Sequence, residues 1–326
     1  MKRALVIGIG GQDGRYATEL LLAKGYAVTG AGRPGTDQPR QLAIAGRPIE
    51  IMPIDLCNAA SIAAVIASAR PDEIYNFAAF SSGAAMFDAP EAIGEVNGLA
   101  VVRILEAIRA VDPAIRFCQA SSSELFGAAT TSPQCETTPM VPRSPYGAAK
   151  LYAHQMIGIY RRHFGLFACS AILYNHESPR RDQRFVTRKV TMAAARISLG
   201  LQQRLTIGNL DAVRDWGFAG DHVHAAWLML QAGAADDYVV ATGMGHSVRE
   251  LCEASFAAAG LDYRGFIDNS TEAFRAPDTV PLIGDAAKAR SSLGWSPTID
   301  FKGLVAMMVE ADTAIARAEL LNGNVR

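Results

Sequence analysis

Tyr146-Gly147-Ala148-Ala149-Lys150 sets a phenol and an ammonium four residues apart. Positions i and i+4 share one helix face. The lysine can therefore stand beside the phenol and favour phenolate, lowering a pKa that is about 10 when free. Such a tyrosine can take the proton of an alcohol while a nicotinamide takes the hydride. Read alone, the spacing describes a buried tyrosine beside a surface lysine equally well. Ser121-Ser122-Ser123-Glu124 adds a hydroxyl and a carboxylate directly after an apolar run. If the extended geometry continues, Ser122 and Glu124 project to the same side; the plainer reading is a loop or a helix cap.

Gly8-Ile9-Gly10-Gly11-Gln12-Asp13-Gly14 supplies the place for a nicotinamide dinucleotide. Its outer glycines, Gly8, Gly11 and Gly14, form G-x-x-G-x-x-G between a first strand and a first helix. Glycine serves there for the tight turn, for close approach of backbone to pyrophosphate, and for packing of helix on sheet. The helix N-terminus presents oriented N–H groups to the phosphates. The second strand ends in Thr29-Gly30-Ala31-Gly32-Arg33, without the carboxylate that would hold the ribose of NAD. Arg33 can pair with a 2′-phosphate instead, so the expected cofactor is NADP; the alternative for Arg33 is a solvated loop charge. Asp55 and Leu56 stand where the adenine would lie, and Phe77-Ala78-Ala79 offers small residues where backbone passes under the cofactor.

The elements that must position these groups alternate between two periods. Ala4 to Ile7, Ala27 to Thr29, Ile49 to Met52, Glu73 to Phe77, Ile115 to Ala120 and Ala168 to Leu173 read as strands. Between them, Tyr16 to Leu22, Ser61 to Ala69, Val96 to Ile108 and Tyr146 to Phe164 read as helices. That order predicts an α/β fold, a Rossmann-type doubly wound parallel sheet with right-handed crossovers. We assign residues 1–174 to it and 175–326 to a smaller, mixed C-terminal substrate-binding region, some of whose segments return to the sheet.

Composition bounds the rest. The chain has 326 residues, 31 Lys+Arg against 32 Asp+Glu, and a net charge of −1, with half its residues apolar. At roughly 100–200 residues per domain, the length suggests two domains or one with an appendage. No global positive field draws a nucleic acid, and no run of about 18 apolar residues could span a bilayer. The N-terminus lacks the pattern of a secretion signal. Five scattered cysteines without C-x-x-C argue against a disulfide framework or a zinc site. His222 and His224 are the one close histidine pair, with no further ligand at metal spacing. These features predict a cytoplasmic globular protein with no metal, no membrane and no nucleic-acid partner.

The glycine loop, Ser-Ser-Glu and Y-x-x-x-K together resemble the extended short-chain dehydrogenase/reductase superfamily. Longer blocks are more specific: Glu136-Thr137-Thr138-Pro139, Pro142-Arg143-Ser144-Pro145-Tyr146-Gly147, Asn175-His176-Glu177-Ser178-Pro179-Arg180-Arg181, Phe185-Val186-Thr187-Arg188-Lys189 and Arg214-Asp215-Trp216-Gly217. They resemble the GDP-mannose 4,6-dehydratase family over nearly the whole chain, most densely from Gln119 to Val240.

That resemblance implies a redox-neutral dehydration of a GDP-sugar. Tyr146 would take the proton of the 4-hydroxyl as C4 gives hydride to NADP⁺, with Ser122 bonded to the C4 oxygen. Glu124 would remove the C5 proton and protonate the departing 6-hydroxyl, after which hydride returns to C6 and C5 is reprotonated. Lys150 would hold the nicotinamide ribose and the phenolate. Gln12, Asp13, Ser81, His176 and Arg181 complete the implied cofactor set; Asn175, Val186, Lys189, Arg214, Arg275 and Asp278 form the implied substrate set. A homo-oligomer, dimer or tetramer, is also implied. The chain departs from the family pattern at Ser122, where threonine is usual, and at Asp278, where glutamate is usual. It departs also in Arg33-Pro34-Gly35-Thr36-Asp37-Gln38 and in Phe80 to Phe87. These departures leave open a related sugar such as GDP-manno-heptose, and a net reductase or epimerase is the alternative chemistry.

Overall fold

Strand β1 (Arg3–Ile7) is apolar on successive residues because both of its faces are covered. Ala4 and Val6 enter one core while Leu5 and Ile7 enter the other, the period-two alternation of an extended chain. The computed structural model describes residues 1–33, 35, 40–80, 87, 89–269, 280–321 and 323. After β1 come α1 (Gln12–Ala23), β2 (Ala27–Gly32), β3 (Gln41–Ile44), β4 (Arg47–Pro53), α2 (Ala59–Ala69), β5 (Glu73–Asn76), α3 (Pro90–Gly94), α4 (Ala100–Val111), β6 (Arg116–Ala120), α5 (Pro145–Phe164) and β7 (Ala168–Leu173). The remainder adds β8 (Asn175–Glu177), α6 (Val186–Ser198), β9 (Leu205–Ile207), β10 (Val213–Phe218), α7 (Ala219–Gln231), β11 (Asp237–Val240), β12 (Gly245–Ser247), α8 (Val248–Ala258), β13 (Ile267–Asn269), α9 (Ala287–Leu293) and α10 (Phe301–Leu321).

Among the described residues the main sheet has eight strands in the order β11-β7-β6-β5-β1-β2-β4-β3. Every neighbouring pair is parallel except β3 with β4. The chain is thus an α/β protein on a doubly wound, Rossmann-type sheet. Strand β3 is additional to the expected strands. It forms because Ala45 and Gly46, at φ 49° and 71°, make the left-handed reversal that a tight hairpin needs.

Helices α1 and α7 cover one face of the sheet, and α2, α4 and α5 cover the other. In α4 the buried residues Val101, Ile104, Leu105 and Ile108 recur at helical spacing, which turns one apolar stripe onto the strands. A third core joins α6, α8 and α10 around Trp216 and Phe256, beside the small sheet β12-β10-β8 and the pair β13-β9. Strand β11 leaves this later part of the chain and pairs in parallel with β7, Asp237 opposite Ser170 and Val240 opposite Leu173. No helix among the described residues is long and apolar enough to cross a membrane.

Candidate active site

The sheet order reverses between β1 and β5, so a crevice opens at their carboxyl ends, where doubly wound folds take ligands. The glycine loop fills the start of that crevice under steric necessity. Gly8 has φ +85°, and a Cβ there would lie 2.7 Å from the Ala78 nitrogen at the end of β5. A Cβ on Gly14 would come within 2.3 Å of the Gly8 carbonyl oxygen, so α1 packs on β1 only through glycine. Gly11 is the N-cap of α1 and turns free amide groups toward the crevice.

A cavity of about 950 Å³ runs along this loop. Gly8, Gly11, Gln12, Asp13, Gly14, Arg33, Asp55, Leu56, Phe77, Ala78 and Ala79 all line it. Ser81, Arg275 and Asp278 lie outside the described residues. The opposite wall comes from the turn between β8 and α6: Arg180, Arg181, Asp182, Arg184 and Phe185. A glycine-lined turn faced by arginines fits a dinucleotide with its phosphates on the α1 N-terminus.

A smaller cavity of about 150 Å³ adjoins the first and shares Asp13, Phe77, Ala79, Arg181 and Phe185 with it. Ser122, Glu124, Tyr146, Lys150, Asn175 and His176 meet there. Glu124 does not arrive by continued extension of β6. The chain turns into a short 3-10 helix, Ser123–Leu125, and Ser122 Oγ caps it by accepting from the Glu124 amide at 3.2 Å. A free amide beside a serine finds that oxygen more readily than a strand partner. Helix α5 begins with Ser144 as N-cap and Pro145 in the first turn, which sets Tyr146 at the cavity. A Cβ on Gly147 would sit 2.6 Å from the Glu124 carbonyl oxygen. The first turn of α5 therefore rests directly on the Glu124 backbone.

The electrostatics differ from what the spacing suggests. Lys150 is buried, stands 5.7 Å from the centre of the Tyr146 ring, and donates to the Ala120 carbonyl at 2.7 Å. Burial pushes its pKa down to about 8. Tyr146 goes up, to about 12, because burial and the Glu124 charge outweigh its hydrogen bond with Ser122 and the nearby Arg181. Behind them, His176 Nε2 meets Asp13 Oδ2 at 3.0 Å and its Nδ1 meets the Tyr174 carbonyl at 2.7 Å. Burial alone would raise the Asp13 pKa, yet His176, Gln12 and Arg181 hold it at about 2. Burial alone would lower that of His176, yet Asp13 raises it.

The implied substrate residues are placed differently. Asn175 lines the smaller cavity, while Val186, Lys189 and Arg214 line neither. Val186 opens α6 directly after Phe185. Lys189 Nζ donates to the Thr206 carbonyl of β9 at 2.9 Å. Arg214 lies in β10 opposite His246 of β12, with Nη1 on the Val213 carbonyl at 2.7 Å.

A match to the sequence profile described as GDP-mannose 4,6 dehydratase covers residues 5–308. The chain belongs to the GDP-mannose 4,6-dehydratase family. It is 46% identical to GDP-mannose 4,6 dehydratase 2 of Arabidopsis thaliana, over 98% of this chain and 88% of that one. With GDP-mannose 4,6-dehydratase of Vibrio cholerae the identity is 38%, over 98% and 96%. Among solved structures, the Thermus thermophilus UDP-glucose 4-epimerase in complex with NAD superposes at TM-score 0.81 and 25% identity, covering 95% of this chain and 98% of that one.

Several residues of this GDP-mannose 4,6-dehydratase family member escape a reading of the motifs. Arg180, Arg184 and Phe185 line the larger cavity, although the blocks in and beside which they stand attract attention for Arg181, Val186 and Lys189. The local density of arginine around Pro179 is the signal that points to them. His222 stacks on His176 with ring centres 4.9 Å apart, and nothing in the sequence connects the two. Its neighbour His224 stacks instead on Trp227, so the close histidine pair faces two separate environments.

Proposed function

We propose that this enzyme dehydrates GDP-mannose to its 4-keto-6-deoxy product with NADP as a resident, regenerated cofactor. The observation that carries the reading is the meeting of Ser122, Glu124, Tyr146 and Lys150 in one small cavity against the glycine-lined cleft. A nicotinamide dinucleotide held by Gly8, Gly11, Gly14 and Arg33 would supply the hydride acceptor for C4 and the hydride donor for C6. Tyr146 accepts the proton of the 4-hydroxyl, and Ser122, hydrogen-bonded to the phenol, is placed to donate to the C4 oxygen. A phenol held at about 12 needs added positive charge to ionise near neutrality. Lys150, 5.7 Å from the centre of the Tyr146 ring, is the cation of this chain placed to supply it. Glu124, half-buried at the same cavity, takes the C5 proton made acidic by the new ketone and delivers it to the departing 6-hydroxyl as water, and C5 is reprotonated once hydride has reached C6.

Arg33 at the rim of the cofactor cavity, and the absence of a carboxylate at the end of β2, support NADP over NAD. Lys189, Arg214 and Arg275 would serve the substrate diphosphate, with Asn175, Val186 and Asp278 beside them. We assign residues 1–174 mainly to the cofactor and 175–326 mainly to the nucleotide sugar. Exposed Leu99, Tyr152 and Ile159, next to and on α5, support a homo-oligomer. Five free thiols fit a reducing compartment such as the cytoplasm.

The test is incubation with GDP-mannose and catalytic NADP⁺, with product mass read for loss of one water. Sustained consumption of NADPH per turnover would instead identify a net reductase. GDP-manno-heptose as a second substrate decides between hexose and heptose.

A further inference from the structure

We propose that Arg188 is a positioning residue for the cofactor, acting with Asp312 of α10 through the turn that carries Arg180 and Arg181. The inference rests on the reading that the glycine-lined cavity holds NADP. Arg188 belongs to the Phe185–Lys189 block, yet it lines neither cavity. It is buried near the start of α6 and points its guanidinium back at the turn before it. Nη1 donates to the Arg181 carbonyl at 2.9 Å and to the Pro179 carbonyl, and Nε donates to Asp312 Oδ1 at 2.6 Å.

Those two carbonyls flank Arg180. The residues they bracket, with Asp182, Arg184 and Phe185, line the cofactor cavity together with the glycine loop. From the other side the same turn is tied to α1: Ser178 Oγ donates to Gln12 Oε1 at 2.7 Å, and Arg180 pairs with Glu19 at 2.7 Å. The wall is thus held between α1 in front and Arg188 behind. Asp312, fully buried, fixes the guanidinium and is fixed in turn by Thr191 Oγ1 at 2.7 Å. One planar fork serves two carbonyls and a carboxylate at once, a geometry that a lysine ammonium does not reproduce. Loss of the carboxylate charge leaves a buried guanidinium without its counter-ion, and the carbonyls it orients lose their anchor.

The experiment is a fluorescence titration of NADPH into full-length wild type, Arg188→Lys, Asp312→Asn and Met308→Ala. Met308 is buried on α10, and its truncation provides a loss of Tm while leaving the hydrogen bonds of Arg188 and Asp312 in place. The expected result is an NADPH Kd raised about tenfold or more in Arg188→Lys and Asp312→Asn, as when a supporting contact behind a binding group is lost. At saturating NADP⁺ the KM for GDP-mannose stays within about twofold, and Met308→Ala binds NADPH as wild type does. Wild-type affinity in both polar variants overturns the inference. So does equal weakening in Met308→Ala, which would make the effect one of general stability. Wild type that binds no NADPH overturns the cofactor reading itself, in the same titration. Should Arg188→Lys not fold, Asp312→Asn alone decides.

Discussion

His176 meets an acceptor at each ring nitrogen, the Asp13 carboxylate at 3.0 Å and the Tyr174 carbonyl at 2.7 Å, so both contacts are hydrogen bonds only when the ring carries both protons. The wall of the smaller cavity thereby favours an imidazolium. The ring ties the first turn of α1 to β8.

The first prediction follows from the linkage. A histidine whose folded pKa is raised contributes stability that is complete below its unfolded value of about 6.5 and is lost as pH climbs through the folded value. Asp13, held at about 2, contributes above its own unfolded value, with loss as pH falls toward 2. Asp13→Asn should therefore flatten the alkaline decline of stability. Tm measured from pH 6 to 9 in both proteins checks this; parallel curves would show that the pair does not set it.

His222 should act in the opposite direction. Burial and the His176 charge push its pKa down to about 3, so the unfolded chain binds this proton first and stability falls as pH drops below about 6.5. The slope is at most about 1.4 kcal/mol per pH unit. His222→Asn retains a donor for the Phe218 carbonyl, which Nδ1 now meets at 3.1 Å, and removes the titration. Its stability profile between pH 6.5 and 4 should be flatter than that of wild type, as read by denaturant unfolding.

Gly14→Ala and Gly10→Ala should separate sharply. The first places a methyl 2.3 Å from the Gly8 oxygen; the second meets nothing within 4 Å. We expect Gly14→Ala to lose about 1–3 kcal/mol together with NADP binding, and Gly10→Ala to stay within about 0.5 kcal/mol. Equal unfolding midpoints for the two would contradict the steric account.

Glu124→Gln should keep hydride exchange at C4 but lose water elimination by roughly 10²–10⁴-fold. Tyr146→Phe should abolish the first oxidation. Deuterium at C4 of the substrate separates the steps, and wild-type elimination in Glu124→Gln would assign the acid/base work to another group.

The strands that carry the sheet were legible because a parallel strand covered on both faces is a continuous apolar run, as in Ala168–Leu173. The glycine loop was legible because its constraint is steric and local. Other features depend on contacts that local pattern does not contain. Spacing alone could set Lys150 near Tyr146, but only the depth of burial decides that the phenol is pushed up. The turn at Ser122 arises from one side-chain oxygen competing with extension. Arg188 and Asp312 are 124 residues apart, and His222 reaches His176 only after β10 and α7 have folded back. Such pairings belong to the tertiary fold.

Strand β11 has a consequence for the modularity of this chain. It crosses back from beyond α7 to give β7 its only outer neighbour in the described sheet, and every residue of β7 is buried. A fragment ending near 174 would uncover that apolar strand as a raw sheet edge, ready to pair with another chain. The two proposed halves, 1–174 and 175–326, are therefore inseparable as pieces of polypeptide.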